Sequence, residues 1–131
     1  MEKVMGIGGV FFKTKDKTAL ANWYRDNLGI PVEDWGGAVF SWTENNPEGD
    51  AYTVWSPFAD DTEYFNPSKR EFMLNFRVKD LAAMLAQLRK NGCNVDSKTE
   101  DGEYGKFGWV IDPEGTKVEL WEPPETATTT D

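Results

Sequence analysis

Apolar residues recur at helical spacing in two stretches of the chain. Between Asp16 and Gly29, Leu20, Trp23, Tyr24 and Leu28 form one stripe, with Asp16 or Thr18 available as N-cap and Gly29 as the stop. Between Asp80 and Gly92 the stripe is Leu81, Met84, Leu85 and Leu88, opened by Asp80 and closed by Gly92. Each helix follows a short apolar-rich run ending in Lys-Asp, GVFFKTKD (9–16) and LNFRVKD (74–80), which reads as a strand. Further strands are predicted at AVFSW (38–42), YTVWSP (52–57), GWVID (108–112) and VELWEP (118–123). NNPEGD (45–50) and DPEG (112–115) read as hairpin turns, where proline fixes φ and glycine permits a positive one.

The pattern repeats. Aligning Asp16 with Asp80 pairs Phe12 with Phe76 and Lys15 with Lys79 at an offset of 64. YTVWSP laid on VELWEP pairs Trp55 with Trp121 and Pro57 with Pro123 at an offset of 66, and a loop-length difference accounts for the drift. Each half reads strand, helix, then about three strands. One helix covers one face of such a unit, so two units curl their sheets around a shared cleft, the default binding site. The predicted class is α+β: two tandem βαβββ modules, residues 4–58 and 70–123, forming a curved mixed sheet around a cleft within a single domain, 1–123. The turn-rich segment SPFADDTEYFNPSKRE (56–71) is the linker, and 124–131, with no apolar periodicity, is a frayed tail.

Composition narrows the partners. The 131 residues, 39% hydrophobic with six tryptophans, suffice for a folded core without disulfides. A net charge of −9 repels phosphate backbones and anionic lipids, leaving a small molecule or another protein rather than nucleic acid or membrane. No apolar stretch has the length of a membrane span or the pattern of a signal peptide, which predicts a cytoplasmic protein. The one cysteine, Cys93, follows Gly92 and reads as a turn residue rather than a nucleophile.

Candidate chemistry centres on Glu119, a carboxylate between Val118 and Leu120 in a chain without histidine. Strand alternation puts Glu119 on one face with Lys117 and Trp121. By the repeat, that face carries Ala51, Thr53 and Trp55 in the first half, and the opening strands add Gly9 and Phe11, then Met73, Asn75 and Arg77. Glu119 is either a carboxylate paired to Arg77 or Lys117, or a base or ligand anchor desolvated by tryptophans. Trp55, Trp121, Trp42 and Trp109 offer flat faces to a planar or cationic ligand, while Trp23 on the helix stripe reads as core. Asn75 either satisfies backbone groups or contacts the ligand with a donor and an acceptor. EDGEYGKFGW (100–109), with Tyr104 and Phe107, reads as a loop closing over the cleft or as an ordinary connection.

The duplicated pattern, with WYRDNLGIPV after the first strand and DPEGTKVELWEP at the end, resembles the vicinal oxygen chelate superfamily of glyoxalases, bleomycin-resistance proteins and extradiol dioxygenases. The resemblance implies the paired-module fold, a homodimer, and metal ligands on the first and last strands of each module. Carried onto this chain, the ligand positions fall at Gly9, Thr53, Met73 and Glu119, of which only Glu119 keeps a ligand side chain. A family-type metal site is therefore not expected, and no cofactor is predicted. Asp50, Glu71 and Glu103 are the loop acids from which another site would have to be assembled.

Three readings follow. The first is a metal-independent binding protein that takes an aromatic or hydrophobic small molecule through Phe11, Trp42, Thr53, Trp55, Asn75, Arg77, Tyr104, Phe107, Trp109 and Trp121. The second is a glyoxalase-type lyase or isomerase with Glu119 as general base and Asn75 or Tyr104 stabilising an enolate-like intermediate. The third is a non-catalytic interaction module whose cleft is filled by its own side chains or by a partner.

Overall fold

The computed structural model describes residues 1–42 and 51–124. Both helices begin as their caps dictate. Asp16 and Asp80 are extended, and each side chain accepts a hydrogen bond at 3.0 Å from a backbone N–H three residues on, opening α1 (Lys17–Leu28) and α2 (Leu81–Lys90). Gly29, at φ +69°, ends α1 in the left-handed conformation that glycine adopts without strain.

Eight strands form one curved, unclosed mixed sheet: β1 (Val4–Thr14), β2 (Ala38–Ser41), β3 (Tyr52–Ala59), β4 (Phe72–Val78), β5 (Asn94–Val95), β6 (Glu100–Gly102), β7 (Gly105–Ile111) and β8 (Lys117–Glu122). Their order is β2-β3-β1-β4-β8-β7-β5, with β6 also on β7. The two halves meet where β1 and β4 pair antiparallel; β3 runs parallel to β1, and β8 parallel to β4. This is the α+β sheet of paired units anticipated from the repeat.

Several details differ from expectation. After α1 only β2 and β3 occur among the described residues, whereas α2 is followed by four strands. The NNPEGD turn and tail residues 125–131 lie outside the described residues. The DPEG turn forms: Asp112 Oδ1 accepts from the backbone of Glu114 and Thr116, which holds its carboxyl below the usual carboxylate range. EDGEYGKFGW is a β6–β7 hairpin rather than a loop. β3 runs on to Ala59, so the linker starts four residues later than its composition suggests.

The repeat is also three residues out of step at its end. Phe11 pairs with Ser56 and Asn75 with Glu119, so if Phe11 answers to Asn75, the counterpart of Glu119 is Ser56, an offset of 63 instead of 66. An odd slip turns every side chain of a strand to the opposite face. Trp55 accordingly packs on the helix side, its ring 4.9 Å from Tyr24 and 5.4 Å from Phe12.

Two clusters fill the two sides of the sheet. Under α2 lie Val78, Leu81, Met84, Leu85 and Leu120; on the concave side lie Phe11, Phe65, Met73 and Trp109. β8 also tethers α2, because Glu122 Oε1 accepts from Leu81 N at 2.8 Å. By contrast α1 buries only Ala21, and Trp23, assigned to the core from its stripe, is 54% exposed. Helical spacing identifies a face but not how completely a neighbour covers it.

The unequal helices make a prediction. Leu85→Ala should cost about 2–5 kcal/mol in denaturant unfolding, while Leu28→Ala should stay within about 0.5 kcal/mol of the parent. Equal effects at the two positions would contradict this packing.

Candidate functional site

Glu119 sits mid-strand on β8 and is 2% exposed. Among the described residues no lysine or arginine lies within ion-pairing distance of it. A buried carboxylate must then be satisfied by neutral donors. Asn75 Nδ2, from the directly paired position on β4, donates to Oε2 at 2.6 Å. Trp109 Nε1, from the paired position on β7, donates to Oε1 at 2.9 Å. The Tyr64 hydroxyl also donates to Oε1. Three donors on two oxygens make Glu119 an acceptor fixed in one orientation.

Tyr64 comes from the 60–71 segment, which the sequence reading treated only as a linker. Its neighbour Phe65 is fully buried against Phe58 and the concave cluster. Two aromatics inside a polar, turn-rich connection were the available signal, since a solvated linker has no use for them. Burial first, and then the Glu119 charge, raise the Tyr64 phenol above its usual range, so it stays a donor. Lys117, 8% exposed, places Nζ 5.3 Å from the Tyr64 and Trp109 ring centroids and donates to the Tyr64 carbonyl at 2.8 Å. Burial pushes its ammonium below the ordinary lysine value, against the opposing pull of Glu119 and Asp96.

Asn75 has one atom left over. Its Oδ1 is the one buried side-chain polar atom among the described residues without a hydrogen-bond partner. It lies beside Gly8, where a Cβ would fall 2.3 Å from it and 3.0 Å from Trp121. Glycine at position 8 therefore makes room for the amide.

The other predicted residues divide between two faces. Trp121 is buried on the concave side, its ring packed against Tyr52 of the first half with centroids 5.2 Å apart and stacked on Phe107 at 6.5 Å. The Arg77 guanidinium lies 5.8 Å from both the Trp42 and Trp121 rings, a cation held against two indoles. Phe11 packs in the concave cluster. Thr53, two residues from Trp55 on β3, is removed from Glu119; it donates to the Ile7 carbonyl at 2.5 Å and accepts from Trp42 Nε1 at 2.9 Å. Tyr104 is 68% exposed at the β6–β7 turn and reaches the group through its carbonyl, which accepts from Trp121 Nε1 at 2.7 Å. The structure thus gathers Phe11, Asn75, Arg77, Phe107, Trp109, Glu119 and Trp121, and separates Trp55, Thr53 and the Tyr104 side chain from them.

The positions at which the resemblance puts metal ligands do not fit a divalent ion. Gly9 offers no donor, and Met73 is a fully buried thioether. Thr53 is engaged elsewhere, and Ser56, which replaces it by register, has a single neutral hydroxyl. Both oxygens of Glu119 are engaged by Tyr64, Trp109 and Asn75. Among the described residues no three acidic or sulfur side chains converge; Glu71 and Glu103 are exposed, and Asp50 lies outside the described residues.

Comparison with known proteins fits this architecture. The family profile described as a glyoxalase-like domain matches residues 9–121. The chain belongs to the glyoxalase-like domain family. Among solved structures, methylmalonyl-CoA epimerase from Mycobacterium tuberculosis is 23% identical over 96% of this chain and 93% of that one, with a TM-score of 0.61. A Streptomyces coelicolor methylmalonyl-CoA epimerase in complex with 2-nitronate-propionyl-CoA is 17% identical over 94% and 100% of the two chains, with a TM-score of 0.64. A glyoxalase/bleomycin resistance protein/dioxygenase superfamily member from Vibrio splendidus is 13% identical over 93% and 99%, at 0.59. No curated protein matches the chain. At these identities the likeness is one of fold.

A phenol whose ionisation is raised by folding contributes stability below its unfolded value, about 10, and loses it as pH climbs toward the folded value. Denaturant midpoints of wild type and Tyr64→Phe, measured from pH 8 to 11, should differ by a constant amount up to about pH 9 and begin to narrow above about pH 10. A difference that stays constant across the whole range would contradict the Tyr64–Glu119 bond.

Proposed function

We propose that this glyoxalase-like protein binds an aromatic or hydrophobic small molecule in the concave cleft without a metal. The observation that carries the reading is the state of Glu119: its oxygens are committed to Tyr64, Trp109 and Asn75, which suits an anchor of the site better than a base. Phe107, Trp121 and Tyr52 supply aromatic surface, and the Arg77 guanidinium lies against Trp42 and Trp121. Asn75 Oδ1 supplies an acceptor whose desolvation is offset when a ligand donor meets it.

The competing reading is a lyase or isomerase in which Glu119 takes a proton from the substrate. It requires Glu119 to exchange an internal donor for a substrate C–H, and the methylmalonyl-CoA epimerases share only the fold with this chain.

Tryptophan fluorescence titrated with a panel of aromatic compounds tests the proposal. A ligand should quench emission in wild type, bind about tenfold or more weakly to Trp121→Ala, and be recovered unchanged after incubation. Conversion of the bound compound by wild type but not by Glu119→Gln would overturn the binding reading in favour of the enzyme.

A further inference from the structure

The chain already places an aromatic alcohol of its own in the site. The Tyr64 ring lies parallel to Phe58, with centroids 5.8 Å apart and planes 11° from coplanar. The ammonium of Lys117 lies 5.3 Å from its centroid, where the negative face of an electron-rich ring is favoured. Its hydroxyl donates to Glu119 Oε1 beside the Trp109 indole N–H. An acceptor at the hydroxyl, an aromatic plane and a cation near the ring together form a recognition set for a phenol.

The attachment of Tyr64 leaves that set open to exchange. Residues 60–71 contribute no strand to the sheet, and the Tyr64 residue is 37% exposed. The segment is held by other groups: Phe65 is fully buried, Ser68 N donates to the Phe65 carbonyl at 3.0 Å, and Lys117 grips the Tyr64 carbonyl. Rotation of the Tyr64 side chain toward solvent would break its bond to Glu119 and its stacking on Phe58 without disturbing those backbone anchors.

We propose that the ligand class of this cleft is the neutral phenols, and that Tyr64 is an intramolecular stand-in which a phenol displaces. The inference rests on the reading of the cleft as a small-molecule site. It adds that the ligand carries an aromatic hydroxyl, which donates to Glu119 while its ring lies on Phe58. The negative charge of Glu119 repels a phenolate and leaves a methyl ether without a donor, so both are rejected. Because the free protein holds its own phenol in place, the apparent affinity of wild type is reduced by the fraction of molecules with Tyr64 turned in.

The test compares p-cresol with its methyl ether, 4-methylanisole, by calorimetric titration of wild type, Tyr64→Ala and Tyr64→Phe, with the aromatic panel run on wild type alongside. Wild type and Tyr64→Ala should each prefer p-cresol over the ether by roughly tenfold or more. Tyr64→Ala should bind p-cresol more tightly than wild type does. Tyr64→Phe keeps the ring and lacks the bond to Glu119; it should also bind p-cresol more tightly than wild type, which preserves the test if the alanine variant does not fold. Equal binding of p-cresol and its ether, or no gain in either variant, overturns the proposal. If a panel compound binds wild type and loses affinity in Trp121→Ala while p-cresol does not compete with it, the phenol class fails and the binding reading stands. If neither the panel nor p-cresol binds any form, both fail.

Discussion

A carboxylate taken out of water with no ion-pair partner among the described residues dictates its surroundings, because each oxygen must be met by a donor or the fold loses the full cost of desolvation. Glu119 is such a group. Two of its donors, Asn75 and Trp109, come from the positions that pair with it on the adjacent strands β4 and β7, so the sheet register alone brings them together. The third, Tyr64, comes from the 60–71 segment outside the sheet. That segment seats Phe65 in the core, where it packs against residues of both halves.

Much of the architecture was legible in the chain. Asp16 and Asp80 cap their helices by the side-chain bonds their type and position suggest, and Gly29 ends α1 at a positive φ. The facing of Asn75, Glu119 and Trp121 followed from simple alternation, which holds where β4 and β8 pair without interruption. The facing failed on β3 alone, although β3 pairs with β1 without interruption. The attractive match of Trp55 to Trp121 imposed a wrong, odd offset that turned the strand over. Tyr64 was missed for a different reason: turn-forming residues predict that a segment leaves the sheet, but not that it folds back on it.

The two halves have consequently taken different roles. In the second, buried Asn75 and Trp109 donate to Glu119, and the buried Trp121 indole donates to the Tyr104 carbonyl. In the first, the register counterparts are Phe11 for Asn75, Ser56 for Glu119 and Phe58 for Trp121, a largely apolar wall. A symmetric ligand set of the kind that holds a metal between modules would need donors from both walls. What remains is one polar wall facing an aromatic one, which suits an organic ligand with a single polar edge.

The most direct measurement follows the Trp109 indole N–H by NMR while Mn²⁺ is added to untagged protein. If Glu119 is held by Trp109, Asn75 and Tyr64 as described, this resonance should be slow to exchange with water, move in Glu119→Gln, and keep its position and width through stoichiometric Mn²⁺. Saturable broadening of Trp109 at one ion per chain that exceeds that of every other indole N–H and is lost in Glu119→Gln would place a metal at Glu119 and contradict the account.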